Sequence, residues 1–278
     1  MSAWQKIPLE DEFGDNLRKA MLGTGTDAAR LGRATGLPPE QIAAWTAYDG
    51  RPDEATARAL ATVLHLDPQR MADSAADRWY PPEIAPSQVR RHFQKPHPSN
   101  GYVFFHEDRG AALIDPAGDP TNLLRVLHEG AYDLQYLLIT HKHADHCDAT
   151  AAVSTAFPNA KIVMHATDAP AIGRLASRAL NVADGQTLPF GDATIRVLHT
   201  PGHTDGSMCF SIDTTVFTGD TLFAGSVGGA FGHASTYADI LQGIRTRLFA
   251  LPGDTAVMPG HGPPTTIALE KRHNPFFP

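Results

Sequence analysis

The chain has 278 residues, 42% of them hydrophobic, which is enough for a packed core in one large or two ordinary domains. Its net charge of −7 argues against a polyanionic partner such as bulk duplex nucleic acid, because that affinity depends on neutralising phosphates. No apolar run approaches the ~18 residues of a membrane span, and Met1 to Gly14 lacks a basic start and an apolar signal core, so a cytoplasmic protein without membrane association is expected. Cys147 and Cys209 are too few for a disulfide framework and form no CxxC pair. Both are expected to be small buried residues, although Cys147 directly follows His146.

The first 80 residues read as helical. Asn16 to Leu22, Asp27 to Gly36, Pro38 to Tyr48, Asp53 to His65 and Pro68 to Ala75 predict about five short helices, most opened by a capping residue or proline and punctuated by Gly36 and Gly50. The run Leu31-Gly32-Arg33-Ala34-Thr35-Gly36-Leu37, the following helix and Leu60 to Leu66 resemble the Cro/repressor helix-turn-helix over about sixty residues. The recognition helix would be Pro39 to Tyr48, yet it offers Glu40, Gln41, Ala43, Ala44, Trp45, Thr46 and Ala47, with no Lys or Arg. Glu10 to Asp77 carries seven basic and twelve acidic residues, a balance of 7 − 12 = −5. A scaffold for homodimerisation or a cover over an active site is therefore expected in preference to DNA binding. Trp45, Tyr48 and Trp79 are candidate contact residues across an interface or over the site mouth, with core packing the alternative for Trp45 and Tyr48.

Prolines from Tyr80-Pro81-Pro82 to Pro98 interrupt any helix and predict a boundary: a helical domain over 1–80, a linker over 81–88 and a second domain to residue 278. Beyond it, Tyr102 to Phe105 and Ala111 to Ile114 predict paired strands, Pro120 to Glu129 a helix and Leu137 to Ile139 a strand. Asp148 to Phe157 predicts a helix, Lys161 to His165 a strand, and Tyr237 to Ala250 a late helix. This alternation predicts an α/β (α+β) layer protein.

The strand at Leu137 leads into Thr140-His141-Lys142-His143-Ala144-Asp145-His146, which packs His141, His143, Asp145 and His146 into six residues. A packed core has no use for so many imidazoles beside a carboxylate, whereas divalent metals need this mixture of neutral nitrogen and anionic oxygen. His203 in TPGHTDGS, Asp220 in FTGDTLF and His261 in PGHG each follow a short apolar stretch beside Gly or Pro. That is the pattern of a strand ending in a tight turn, and it places all the candidate ligands along one sheet rim.

Through THKHADH, TPGHTDGS, FTGDTLF, PGHG and the tail Thr265 to Phe276, the chain from about Val89 resembles the metallo-β-lactamase-fold superfamily, and within it the glyoxalase II-like hydrolases. The resemblance implies an αββα sandwich. It implies one metal on His141, His143 and His203, a second on Asp145, His146 and His261, and Asp220 bridging both. The expected cofactors are two divalent ions, zinc first, with iron or manganese as alternatives. Against their four positive charges Asp145 and Asp220 supply two negative ones, so a bridging water is favoured as hydroxide to attack a polarised carbonyl. The implied function is hydrolysis of hydroxyacyl thioesters, with Asp145 and Asp220 as catalytic residues. The alternatives are an iron-dependent persulfide dioxygenase and a DNA-binding regulator with a metal domain.

By resemblance, glutathione is held by basic residues partly supplied just after the bridging aspartate. Here Phe223 to Ala230 has none, which predicts weak dependence on glutathione as the carrier. His233, Tyr237, Lys271 and Arg272 are the remaining candidate substrate contacts.

Overall fold

The computed structural model describes residues 6–93, 98–107, 109–230 and 236–278. Five helices come first: α1 Phe13–Gly23, α2 Ala28–Thr35, α3 Pro39–Thr46, α4 Glu54–Val63 and α5 Pro68–Ala75. Asp27, Asp53 and Asp67 cap the last two of these and α2 by accepting the amides of Arg30, Thr56 and Arg70, so the orphan donors of each first turn are satisfied. Gly36 ends α2 in the left-handed region at φ 75°, where a Cβ would be strained.

Two six-stranded sheets follow. The first runs β1 Val89–Phe93, β2 Asn100–Phe105, β3 Gly110–Ile114, β4 Asp133–Leu138, β5 Lys161–Met164 and β6 Leu180–Asn181, in sequence order. It begins antiparallel and becomes parallel from β3 onward, with α6 Thr121–Glu129, α7 Ala144–Cys147, α8 Thr150–Ala156 and a kinked 3₁₀ segment Ala169–Arg178 in the crossovers. The second sheet is built from β7 Thr187–Phe190, β8 Ala193–His199, β9 Met208–Ile212, β10 Thr215–Gly219, β13 Ala256–Pro259 and β14 Thr265–Thr266. Its order is β14-β13-β10-β9-β8-β7. The short pair β11 Leu222–Phe223 and β12 Ser226–Val227 stands apart, and α9 Tyr237–Gly243 and α10 Ile267–His273 complete the chain.

Side-chain alternation sorts the core into three slabs. Phe104, Tyr136, Phe190, Val197, Phe210, Phe217 and Met258 fill the space between the sheets. Leu113, Leu137, Ile139 and Ile162 face outward from the first sheet onto Leu123, Leu127 and Val153 of its helices. Leu198, Cys209, Val216 and Val257 face outward from the second sheet, in a cluster that also holds Ile240, Ile267 and Phe276. That third slab continues without a break into Phe13, Leu17, Leu31, Ile42, Leu60 and Met71 of the N-terminal helices. The architecture is thus an αββα sandwich whose outer helical layer on one side is extended by α1–α5.

The differences from expectation have local causes. The helix expected over Asp148 to Phe157 starts at Thr150, because the separate turn α7 already occupies Ala144–Cys147. The late helix leaves α geometry at Ile244, where Ile244–Leu248 forms a π-turn. Trp45 is 6% exposed and packs inside the N-terminal cluster, which selects core packing over an exposed contact. Trp79 is half-buried and stacks on His273 at 5.2 Å. No helix among the described residues is long and apolar enough to cross a membrane.

Candidate metal centre and the cleft above it

The connections at the ends of β4, β8, β10 and β13 meet at one rim of the sandwich. His141 and His143 lie just beyond β4, Asp145 and His146 on α7, His203 beyond β8, Asp220 beyond β10 and His261 beyond β13. Two groups form there: His141, His143, His203 and Asp220, and then Asp145, His146 and His261, with the donor atoms of each group all within 4.8 Å of one another. In the first, His143 Nδ1 is 3.0 Å from His141 Nε2 and 2.9 Å from His203 Nε2. In the second, His146 Nε2, His261 Nε2 and Asp145 Oδ2 are mutually 3.4 Å apart. Asp220 joins them, with Oδ2 at 3.4 Å from His203 Nε2 and 3.5 Å from His261 Nε2, and Oδ1 at 3.4 Å from His146 Nε2.

Other side chains fix which nitrogen faces inward. Asp115 Oδ2 lies 2.9 Å from His146 Nδ1 and accepts the Thr140 hydroxyl, while Asp115 Oδ1 accepts the Thr140 amide. Thr140 Oγ1 is in turn 3.0 Å from His141 Nδ1, and the Gly229 carbonyl is 2.8 Å from His203 Nδ1. Partners on Nδ1 leave Nε2 of all three rings pointing into the site, the arrangement in which a metal-ligating histidine is oriented from behind. Asp168 Oδ2 accepts both the Lys142 amide and the Thr204 hydroxyl, tying the loop after β4 to the loop after β8. Gly260 is required by close approach: a Cβ there would meet Asp220 Oδ1 at 2.3 Å and the His146 ring at 2.7 Å.

The donor chemistry fits divalent cations. Ring nitrogens this close cannot all find protons to share, so their lone pairs repel unless a cation lies between them. Asp220 Oδ1 is buried without a hydrogen-bond partner. Burial lowers His141, His143 and His203 and keeps them neutral, as ligands must be. Burial also opposes charge on His146 and His261, but the Asp220 carboxylate and its neighbours outweigh it and lift them to about 10 and about 11. Burial would raise Asp220, yet His261, His146 and His141 hold it well below the usual carboxylate range. The second group thus sits in strongly negative potential that attracts protons or metal. Cys147 is no competitor: burial pushes its thiol up to about 12, and it donates to the Lys142 carbonyl at 3.5 Å.

Above the donors is a cleft of about 350 Å³. Its floor is His203, Asp220, Phe223, Gly229 and His261, and its roof comes from the N-terminal helices and the segment before them: Glu10, Asp11, Asp15, Arg18, Lys19 and Tyr48. Of the expected substrate contacts, His233 lies outside the described residues. Tyr237 packs on Gly23 and meets Phe276 edge-on at 6.2 Å, so it joins α9 to α1 and does not line the cleft. Lys271 and Arg272 are exposed on α10, Lys271 over the Phe249 ring, and neither lines the cleft. Sequence reasoning missed Asp115 and Asp168, and it expected a cover from the N-terminal helices without naming Arg18. Asp115 carried a signal, an acid at the end of the apolar run Ala111 to Ile114; Arg18 carried none. A second cavity of about 300 Å³, between Arg51, Arg70, Trp79 and His273, contains none of the metal-site donors.

Residues 95–261 match the family profile of the Metallo-beta-lactamase superfamily. The chain belongs to this superfamily. Hydroxyacylglutathione hydrolase GloC of Haemophilus influenzae is 32% identical over 196 residues, covering 64% of this chain and 92% of that protein. The crystal structure of BLEG-1 B3 metallo-beta-lactamase superposes with a TM-score of 0.60 at 30% identity, covering 68% of this chain and 98% of that one. That of ETHE1 from Myxococcus xanthus superposes with a TM-score of 0.60 at 31% identity, covering 67% and 83%. With its His/Asp cluster, this metallo-β-lactamase-fold chain is a metal-dependent hydrolase or a related enzyme. The roof residues Glu10 to Tyr48 precede the matched region.

Proposed function

We propose that this chain is a binuclear metal-dependent hydrolase of small hydroxyacyl thioesters, with zinc the first expected metal. The observation that carries this reading is the meeting of two donor groups at Asp220, whose Oδ2 stands 3.4 Å from His203 Nε2 and 3.5 Å from His261 Nε2. His141, His143 and His203 would hold one ion, Asp145, His146 and His261 the other, with Asp220 between them. A dioxygenase site with one iron on two histidines and an aspartate would leave the second group without a purpose. Similarity to a hydroxyacylglutathione hydrolase supports the thioester class.

Two bound divalent ions would supply Lewis acidity toward a carbonyl and a water acidified to near neutrality. The protein's own contribution is orientation. Asp145 directs Oδ2 at His146 and His261, which leaves Oδ1 to accept a hydrogen bond from the attacking water and orient it. Asp115, Thr140 and Gly229 lock the imidazoles from behind. Residues of the N-terminal segment, Glu10 to Lys19 and Tyr48, would present charged and aromatic groups to a substrate lying over the donors.

Elemental analysis of protein purified without added metal, beside a hydrolysis panel, tests this. About two divalent ions per chain and turnover of hydroxyacyl thioesters are expected. One tightly held iron with oxygen consumption on persulfides would replace this reading with the dioxygenase, and a preference for β-lactams over every thioester would also defeat it.

A further inference from the structure

Two cations line the cleft, and they differ in how far the fold uses their donors. Lys19 pairs with Asp11, donates to the Val227 carbonyl at 2.8 Å and is largely buried, with its one remaining N–H near the Phe223 ring. Arg18 is different. Its Nη2 donates to Asp15 Oδ1 at 2.5 Å and to Tyr48 Oη at 3.1 Å, and its Nη1 donates to the Thr46 carbonyl at 3.3 Å. A guanidinium has five N–H donors, so Nε–H and one Nη1–H are left over among the described residues. Its side chain is 44% exposed at the mouth of the same cleft that contains His203, Asp220 and His261.

The groups that aim Arg18 look built for the purpose. Asp15, 10% exposed, accepts both Arg18 and the Tyr48 hydroxyl on the same oxygen, Oδ1. Tyr48 takes the left-handed backbone, φ 64°, that ends α3, as His65 and Asp77 end α4 and α5. That turn sets its ring 5.6 Å from the guanidinium with 56% of its surface exposed, so Tyr48 and Asp15 together hold Arg18 at the cleft.

We infer that Arg18, oriented by Asp15 and Tyr48, is a specificity-determining residue that binds a carboxylate of the substrate's thiol carrier, so that the N-terminal helices form half of the substrate site. This rests on the thioester reading above and names the carrier class: a small peptide-like thiol bearing a carboxylate. Carboxylate is favoured over a multiply charged phosphate carrier by charge. Glu10, Asp11 and Asp15 line the cleft with Arg18 and Lys19, so a carrier of net charge −1 can set one carboxylate on Arg18 while a carrier with several net negative charges would be repelled. The lack of Lys or Arg in Phe223 to Ala230 therefore does not make hydrolysis indifferent to its carrier; the cation arrives from α1.

The test compares wild type, Arg18→Gln, Arg18→Lys and Tyr48→Phe on three esters of one acyl group: S-lactoylglutathione, lactoyl-coenzyme A and the neutral lactoyl-N-acetylcysteamine. Arg18→Gln is expected to raise KM for the glutathione ester about 10- to 30-fold with kcat within about twofold, and to leave both constants for the neutral ester unchanged. Arg18→Lys is expected to recover part of the loss, and Tyr48→Phe to raise KM severalfold for the glutathione ester alone. Metal content should be the same in all four proteins. Equal effects on charged and neutral esters, no effect on any, or a wild-type preference for the coenzyme A ester would overturn the inference. If wild type hydrolyses no thioester, the hydrolase reading falls by itself. Arg18 is then read by calorimetric binding of S-methylglutathione to the metal-loaded protein, where equal affinity in wild type and Arg18→Gln, or no binding to either, overturns the inference as well.

Discussion

Asp220 belongs to the first donor group and reaches the second, its Oδ2 3.5 Å from His261 Nε2 and its Oδ1 3.4 Å from His146 Nε2, so its loss should be felt by both. Asp220→Ala is expected to lower metal content and hydrolysis together, by about 10²-fold or more in rate, with Asp145→Asn nearly as harmful because it keeps the shape and removes a negative donor. Elemental analysis and kinetics on the same preparations check this; full activity with full metal in Asp220→Ala would defeat the assignment. Asp115 fixes His146 and, through Thr140, His141 from behind. Asp115→Ala should weaken metal affinity about 10- to 100-fold in a chelator competition. Protonation gives a third expectation. In the metal-free protein the Asp220 carboxylate and its neighbours outweigh burial and lift His146 and His261 to about 10 and about 11, so near pH 7 this pair holds proton that metal must expel. Metal affinity should therefore rise with pH, with proton release on zinc loading. Both pKa values lie above that of a free imidazole, so these groups stabilise the metal-free fold fully below about pH 6.5 and lose that contribution as pH climbs toward 10 and 11. Calorimetric titrations in buffers of different ionisation enthalpy give the proton count, and zinc uptake without proton release would contradict the electrostatics.

Elements bring these residues together by ending where they do. β13 stops at Pro259 and Gly260 lets Asp220 and His146 approach its backbone, so Gly260→Ala should reduce metal occupancy while the circular dichroism stays that of the folded protein. Unchanged occupancy would mean the rim relaxes more readily than its packing suggests. This is also the scale at which the sequence was most readable. The THKHADH cluster after β4 and three Gly- or Pro-framed turns carrying His203, Asp220 and His261 announced the rim, because a ligand needs a fixed backbone and a tight turn supplies one. The N-terminal helices were visible through their Asp caps and Gly36. The short edge strand β6, the 3₁₀ segment and the π-turn after Gly243 were not, since two residues or a kinked turn leave no periodic signal. Asp168 was illegible for another reason: its role is to join loops after β4 and β8, and spatial adjacency between distant loops has no trace in local spacing.

At the scale of the whole molecule, the helices α1–α5 and the outer face of the second sheet share one apolar cluster, reinforced by polar ties: Asn16 to Ser226, Arg70 to the carbonyls of Asn274 and Phe277, and the Asp67 amide to the Pro275 carbonyl. One cluster implies one cooperative unit, so the chain should unfold in a single transition, and Leu17→Ala, which empties a fully buried site in α1, should cost about 2–5 kcal/mol of that transition. A chain starting near Pro86 would uncover the apolar partners of α1–α5; poor solubility is expected of it, in place of a simple change in assembly. Calorimetry showing two separate transitions would instead make the helices an independent module. The same docking bears on nucleic acid. α3 turns Ile42 and Trp45 into the cluster and presents Pro39, Glu40, Gln41 and Ala43 to solvent, a face without a cation for phosphate or a fork for guanine. Arg18 is directed to the metal cleft, and the balance from Glu10 to Asp77 is 7 − 12 = −5. Duplex binding by the intact protein should accordingly be no tighter than about 10⁻⁴ M at physiological salt. Anisotropy titrations with random duplexes, and selection from a genomic fragment library, measure this directly. A specific fragment shifted at nanomolar concentration would mean that α3 reads DNA despite its charge, and that the roof over the metals serves regulation as well as hydrolysis.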